Sequence, residues 1–178
     1  MRRQILFAYL QSNLFAGYKT SPFRRVNVSL LLTGIFTCIV VPVGCSGNLF
    51  SVQFVNSNLL YILPFSLFLF PAFLEESFFR GILIPNNAQE KGLKYMLQST
   101  LLSAALFTLW HPLNALTINP GAQELFLNLY FLVIVFCLGI ICSLSYIFSK
   151  SLWVTICIHW FAVLIWVVFL GGRNLVLA

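Results

Sequence analysis

Charged residues are scarce along the whole chain. They make up 8 % of its 178 residues, while hydrophobic types make up 60 %. A soluble domain of this size carries about a quarter charged residues, which it needs to cover a water-facing surface. This composition therefore excludes a soluble enzyme, a nucleic-acid-binding domain and a disordered chain, and we expect no nucleic-acid partner. It predicts an integral membrane protein.

The apolar residues are grouped into five long segments. Each segment is close to the ~20 residues that a membrane-spanning helix needs. They run approximately over residues 26–43, 59–85, 97–118, 125–148 and 152–170. We therefore predict an all-α fold, a polytopic membrane helical bundle with about five transmembrane helices. The prolines inside the second segment also allow it to be partly re-entrant.

The basic residues indicate the orientation of the chain. Ten Lys and Arg stand against four Glu and no Asp. If the N-terminus is cytoplasmic, only Arg173 of these basic residues lies outside. The positive-inside rule therefore predicts a cytoplasmic N-terminus. We expect a multi-pass protein in the plasma membrane of a prokaryote or in an organelle membrane.

The first 25 residues differ from the rest because basic residues flank an apolar stretch that is too short and too polar to span. We predict that residues 1–25 form a basic cytoplasmic or interfacial segment and that residues 26–178 form the helical domain. A signal peptide is the alternative, but no small-x-small cleavage site follows. The four tryptophans, including Trp110, are interpreted as packing or interface residues.

An acidic cluster lies late in the second apolar segment. Ionisable side chains cost several kcal/mol there, so a functional role is the default hypothesis. On a helix, Glu76 and Arg80 are four residues apart and can pair, whereas Glu75 points about 140° away from Arg80. Glu75 therefore has no ionic partner on its own helix, which suits a general base. The alternative is a Glu–Arg pair that only ends a helix at the membrane interface.

The only two histidines, His111 and His159, also lie in apolar segments. From the helical rise, Glu75, His111 and His159 lie roughly 15, 21 and 14 Å from the cytoplasmic side. All three can share one layer, provided that the helix with Glu75 continues through Leu83. Arg80 would then either snorkel to the interface or reach back to its neighbour one turn earlier.

Two imidazoles and two carboxylates in one membrane layer suggest hydrolysis by one of two routes. Glu75 can activate water while the histidines stabilise the oxyanion. Alternatively, Glu75, His111 and His159 can bind Zn²⁺, with water at the open position. The missing Asp excludes an aspartyl protease, and neither H-E-x-x-H nor G-x-S-x-G is present.

Three motifs resemble those of the type II CAAX prenyl endopeptidase family, also called the CPBP family of intramembrane proteases. They are Glu75-Glu76-x-x-x-Arg80-Gly81, then Phe107-x-x-x-His111, and finally Ser151-Leu152-Trp153 followed by His159-Trp160. They occur in the family's order within residues 75–163. The resemblance implies an all-helical membrane fold with a cavity open to the cytoplasm.

The resemblance also implies a role for each site residue. Glu75 would activate water together with His111, and His159 would help to form the oxyanion hole. Glu76 and Arg80 would be the supporting pair. Members of the family are often labelled metalloproteases, but a metal-free glutamate mechanism is also argued, and we favour it. In that mechanism no cofactor is required, and zinc is the alternative.

The chain departs from the family at one position. The third motif often carries Asn four residues after its histidine, and this chain has Val163 there. Losing one oxyanion donor can cost about 10²–10³ in rate. Asn114, three residues after His111, is a candidate substitute donor.

These observations favour an intramembrane endopeptidase that cuts a membrane-associated or lipidated protein or peptide. Its partners would be membrane lipid and that substrate. A non-catalytic family member, acting as a membrane scaffold or bacteriocin-immunity protein, is the second hypothesis, and Val163 supports it. The third is a small transporter in which Glu75 and the histidines relay protons. The chain shows no inverted repeat of the kind found in transporters.

Overall fold

The computed structural model describes residues 2–55 and 60–172, with side chains from Phe7 onward. The α-helices are α1 (Arg2–Lys19), α2 (Val26–Ser46), α3 (Leu63–Leu67), α4 (Leu74–Glu76), α5 (Leu93–Thr117), α6 (Gln123–Phe126), α7 (Leu129–Ser149) and α8 (Leu152–Phe169). Two π-helical stretches, Phe68–Phe73 and Ser77–Ile82, flank α4, and a 3₁₀ turn, Pro120–Ala122, precedes α6. These described residues form no strand, only an isolated bridge between Gln53 and Leu170. The predicted all-helical fold is confirmed.

Three of the described helices are long and apolar enough to cross a membrane. They are α2, α7 and α8. The helix α5 has 25 residues, but it carries several of the polar site residues and is not one of the three. The helical membrane bundle is therefore confirmed, whereas the count of five spans and the cytoplasmic N-terminus stay predictions. Arg173 lies outside the described residues, as does the start of the second predicted segment at residue 59.

Residues 63–82 form one interrupted helix, which we call the glutamate helix. Phe70 breaks it with φ −140° and ψ 119°. A residue before proline avoids the α conformation, because the proline ring clashes with its backbone, so the break falls directly before Pro71. After the break the helix continues past Glu76 to Ile82, and Leu83 caps it in a helical conformation. The continuation required for a shared layer of site residues is thus present.

The helix α7 lies at the centre of the bundle and packs against α2, α5 and α8. Its contact with α5 is close because small residues meet there. A Cβ atom added at Gly139 would lie 3.0 Å from both the Cα and the Cβ of Ala104. Ser103, the preceding residue, donates a hydrogen bond to the carbonyl oxygen of Phe79 at 2.8 Å. Small residues at such crossings allow two helix backbones to approach. The hydrogen bond from Ser103 to Phe79 then holds α5 beside the glutamate helix.

The helix α1 packs against the end of the glutamate helix through a buried amide. Asn13 donates hydrogen bonds to the carbonyl oxygens of Gly81 at 2.7 Å and Ile84 at 2.8 Å, and it accepts one from the backbone N–H of Asn86 at 2.7 Å. The last carbonyls of a helix need such external donors. The amide therefore holds α1 against the main helical body. The predicted boundary at residue 25 falls in the turn between α1 and α2, where Arg25 has a positive φ of 51°; the division into two parts stays a prediction.

Replacing Asn13 with leucine is expected to destabilise the protein by roughly 2–4 kcal/mol, because three hydrogen bonds are lost and buried carbonyls are left unpaired. Thermal unfolding of the purified protein in detergent measures the change. Ser12→Ala is the matched control on the same helix, since Ser12 is exposed and donates its hydrogen bond to the local Tyr9 carbonyl. Equal melting temperatures for the two variants would show that the Asn13 contacts do not stabilise the fold.

Candidate active site

A fully buried ion pair lies at the base of the site. Arg80 Nη1 is 3.0 Å from Glu76 Oε1, and both side chains are 0 % exposed. Arg80 also donates a hydrogen bond to the Gly139 carbonyl at 3.1 Å, and its guanidinium lies 4.5 Å from the centre of the Phe107 ring. The predicted i,i+4 pair therefore forms. Of the two predicted alternatives for Arg80, the structure shows the reach back to Glu76 and not the snorkel to the interface.

The same glutamate holds His159 of α8. The Nδ1 atom of His159 is 2.9 Å from Glu76 Oε1. A carboxylate engaged with an arginine only accepts hydrogen bonds, so Nδ1 carries the hydrogen and the Nε2 atom is left for other partners. That Nε2 atom is 4.0 Å from Glu75 Oε2. Arg80, Glu76, His159 and Glu75 thus form a continuous chain of neighbours.

Glu75 is held by a residue of α5. The indole N–H of Trp110 donates a hydrogen bond to Glu75 Oε1 at 3.2 Å. The other oxygen, Oε2, is buried and has no hydrogen-bond partner among the residues that the structure describes. Glu75 thus has no ionic partner on its own helix, as predicted, but it is not isolated. One of its oxygens is fixed, and the other is free to bind a water molecule or a substrate.

His111 lies one turn after Phe107 on α5. Its Nδ1 atom is 3.0 Å from the Phe107 carbonyl oxygen, which can only accept, so this nitrogen carries the hydrogen. The imidazole ring contacts the rings of Phe107, Phe126 and Phe131, with centroids 5.1, 5.1 and 5.5 Å away. Among the described residues, the histidine within 4.0 Å of Glu75 is His159 and not His111.

Glu75, His111 and His159 line one cavity of about 640 Å³. Asn114 and Val163 line it as well. Most of the remaining wall is aliphatic or aromatic and comes from α2, the glutamate helix, α7 and α8. The structure therefore brings the three residues predicted as catalytic to one site. Their chemical roles stay predictions.

One known protein family matches the part of the chain that contains these residues. The family model described as Type II CAAX prenyl endopeptidase Rce1-like matches residues 56–165, which is more than half of the chain. The chain belongs to this family. The match includes the glutamate helix and α5 and reaches into α8, so all three motifs lie within it. No curated protein and no solved structure matches the chain.

A zinc ion does not fit the residues of this Rce1-like site. Among the residues that the structure describes, no three His, Cys, Asp or Glu side chains are grouped so that they could hold a metal ion. His159 is within 4.0 Å of Glu75, but His111 is not, so the predicted set of Glu75, His111 and His159 does not converge on one point. We therefore derive no chemical step through a metal.

Trp110 is the site residue that the sequence did not predict. It was interpreted as a packing or interface residue, yet its N–H contacts the central carboxylate. The residue type alone could have indicated a polar contact, because a partly buried indole N–H needs an acceptor. Trp110 also directly precedes His111. What the sequence could not give was the direction of the ring, which depends on how α5 is rotated against the glutamate helix.

Proposed function

We propose that this Rce1-like protein is an intramembrane endopeptidase that hydrolyses a peptide bond of a membrane-associated or lipidated protein or peptide. Its family is one of proteases, which supports the class of reaction. The observation that carries the proposal is Glu75. This residue presents one buried, unpartnered carboxylate oxygen beside His159 and lines a cavity large enough for part of a substrate.

In this proposal Glu75 is the general base. Its Oε2 atom takes a proton from water as the water oxygen attacks the carbonyl carbon of the scissile bond. The carbonyl oxygen becomes an oxyanion. When the C–N bond breaks, the proton on Glu75 passes to the leaving amine, and the carboxylate is regenerated. The products are a carboxylic acid and an amine, and no cofactor is consumed.

The two histidines, one on α5 and one on α8, assist Glu75 in this reaction. The 4.0 Å separation between His159 Nε2 and Glu75 Oε2 is too long for a direct hydrogen bond, but a single water molecule can bridge the two atoms. His111 Nε2 carries no hydrogen in the neutral ring, so it can accept a hydrogen bond from that water when His159 is protonated and donates its Nε2–H to the water oxygen. The other hydrogen of the water is then bonded to Glu75. A protonated His159 can donate to the oxyanion. Glu76 and Arg80 support His159 by fixing its ring.

The apolar wall of the cavity is suited to binding an apolar part of the substrate. Aromatic and aliphatic side chains from four helices surround the polar site residues. Burial of a hydrocarbon chain or of apolar peptide side chains in such a space is favourable by about 25 cal/mol per Å². We propose that membrane lipid surrounds the protein, that it crosses the membrane several times, and that the apolar part of the substrate occupies this cavity.

Cleavage of a quenched-fluorescent peptide library by the protein in lipid vesicles tests the proposal. We expect cleavage by the wild type and a loss of about 10²–10⁴ in kcat for Glu75→Gln, the range that one general base contributes. Glu90→Gln is the matched control, because Glu90 is exposed and pairs with Lys150, and neither residue lines the cavity. A chelator should leave the rate unchanged.

Three outcomes would contradict the proposal. If a folded wild type cleaves no peptide in the library, the non-catalytic scaffold or immunity function is favoured. If the chelator abolishes cleavage, the site works through a metal. A proton-coupled flux across the vesicle membrane that Glu75→Gln abolishes would favour the transporter hypothesis.

A further inference from the structure

The hydrogen-bond donors that line the cavity are almost all committed to partners within the protein. The indole N–H of Trp110 is bonded to Glu75, and that of Trp166 is bonded to the Leu49 carbonyl. The Thr37 hydroxyl donates to the Thr33 carbonyl. The Nδ1–H groups of both histidines are also engaged, as described above. A neutral imidazole in either position therefore presents only a lone pair to the cavity.

Asn114 is the exception among the buried lining residues. It is 8 % exposed and lines the same cavity as Glu75. Its side-chain amide makes no hydrogen bond to any other residue that the structure describes. Buried polar side chains nearly always have a hydrogen-bond partner. A buried amide that faces a cavity without a partner is therefore available to whatever occupies the cavity.

The position of Asn114 suits a group that binds the reacting carbonyl. It follows His111 by three residues on α5, which places the two side chains about 60° apart around the helix and about 4.5 Å apart along it. The helix α5 also supplies Trp110, which fixes Glu75. The amide and the carboxylate thus reach one cavity from neighbouring helices that are packed together.

We infer that Asn114 is a catalytic residue whose Nδ2–H group donates a hydrogen bond to the substrate carbonyl oxygen and to the oxyanion that forms from it. This inference rests on the proposed endopeptidase activity and adds the donor that the activity needs. An amide N–H is a donor at every working pH, whereas each histidine must first gain a proton. Donors already oriented toward a developing negative charge accelerate acyl transfer.

Val163 offers an independent test of the same idea. It lines the cavity, lies one turn after His159 on α8, and has no polar atom in its side chain. An asparagine at this position would present a second amide to the cavity from the opposite helix. If the cavity needs one neutral donor, an amide at position 163 should compensate for its loss at position 114.

The experiment measures kcat and KM for the best library peptide with Asn114→Leu, which has a side chain of similar size but lacks both the carbonyl and the NH₂ of the amide. We expect kcat to fall about 10²–10³-fold, as for other oxyanion donors, with KM changed by less than a factor of three. Asn27→Leu is the comparison variant. Asn27 is exposed near the start of α2 and is not one of the residues that line the cavity, so we expect wild-type kcat.

The double variant Asn114→Leu/Val163→Asn should recover at least tenfold of the lost kcat. A peptide aldehyde, whose hydrate resembles the tetrahedral intermediate, should bind more weakly to Asn114→Leu, while an uncleaved substrate analogue should bind equally well. Wild-type kcat in Asn114→Leu, or an equal loss in Asn27→Leu, would overturn the inference. If the wild type itself cleaves nothing, the proposed function fails instead, so the two failures are distinguishable.

Discussion

Replacing Glu76 with alanine is expected to destabilise the protein by about 3–5 kcal/mol, because the change leaves a buried arginine without its charged partner. Arg80 and Glu76 are both fully buried, and the remaining bond of Arg80 is to a single backbone carbonyl, that of Gly139. Thermal unfolding in detergent, followed by tryptophan fluorescence, measures the loss. We also expect less Glu76→Ala protein to accumulate in the membrane.

Two further variants separate the charge effect from other causes. Glu90→Ala removes the acidic partner of Lys150 in an exposed pair and should change the stability little, because water screens such pairs. The double variant Glu76→Ala/Arg80→Met removes both buried charges and should recover much of the stability, since apolar residues of similar size often replace a buried pair without loss. If Glu76→Ala is no less stable than Glu90→Ala, the pair does not hold the site together.

The same double variant also tests how the fold and the chemistry are connected. Glu76 bonds to His159 as well as to Arg80, so a stable double variant would still lack the group that orients the imidazole. We therefore expect it to fold but to remain impaired in peptide cleavage. Folding would then depend on the contact of Glu76 with Arg80, and activity would depend on its contact with His159.

Local spacing explains which parts of the site could be predicted from the sequence. The Glu76–Arg80 pair follows from the helical repeat alone, because the two residues are one turn apart. The helix bounds follow from the length of the apolar runs. The proximity of Glu75 to His159 was predicted only as a shared depth in the membrane. Helical rise gives depth, but it does not give the rotation of one helix against another.

The contacts that were not predicted from the sequence join residues that are far apart in the chain. Glu76 and His159 are 83 positions apart, and Glu75 and Trp110 are 35 positions apart. Both contacts depend on how closely α5, α7 and α8 pack, which small residues such as Gly139 determine. The polar residues of α1 were likewise interpreted as a sign of an interfacial helix. In the structure, one of them, Asn13, binds the end of the glutamate helix.

Replacing Trp110 with phenylalanine is expected to lower kcat about 10²-fold with little change in stability. The aromatic ring remains to fill its place, but Glu75 loses the N–H group that fixes Oε1. A carboxylate that rotates freely spends less time with Oε2 toward the water, and small misplacements of a reacting group can cost this much. Steady-state cleavage of the library peptide gives kcat and KM, and thermal unfolding gives the stability.

Trp160→Phe is the matched control, because its indole N–H bonds to the Pro64 carbonyl, outside the contacts of Glu75. It removes the same chemical group from the same kind of residue and should leave kcat within a factor of about three of the wild type. Equal kcat values for the two variants would mean that Trp110 only packs. A fall in kcat confined to Trp110→Phe, with unchanged KM and unchanged unfolding, would instead assign the indole a positioning role, because a residue that only packs would lower stability before it lowered kcat.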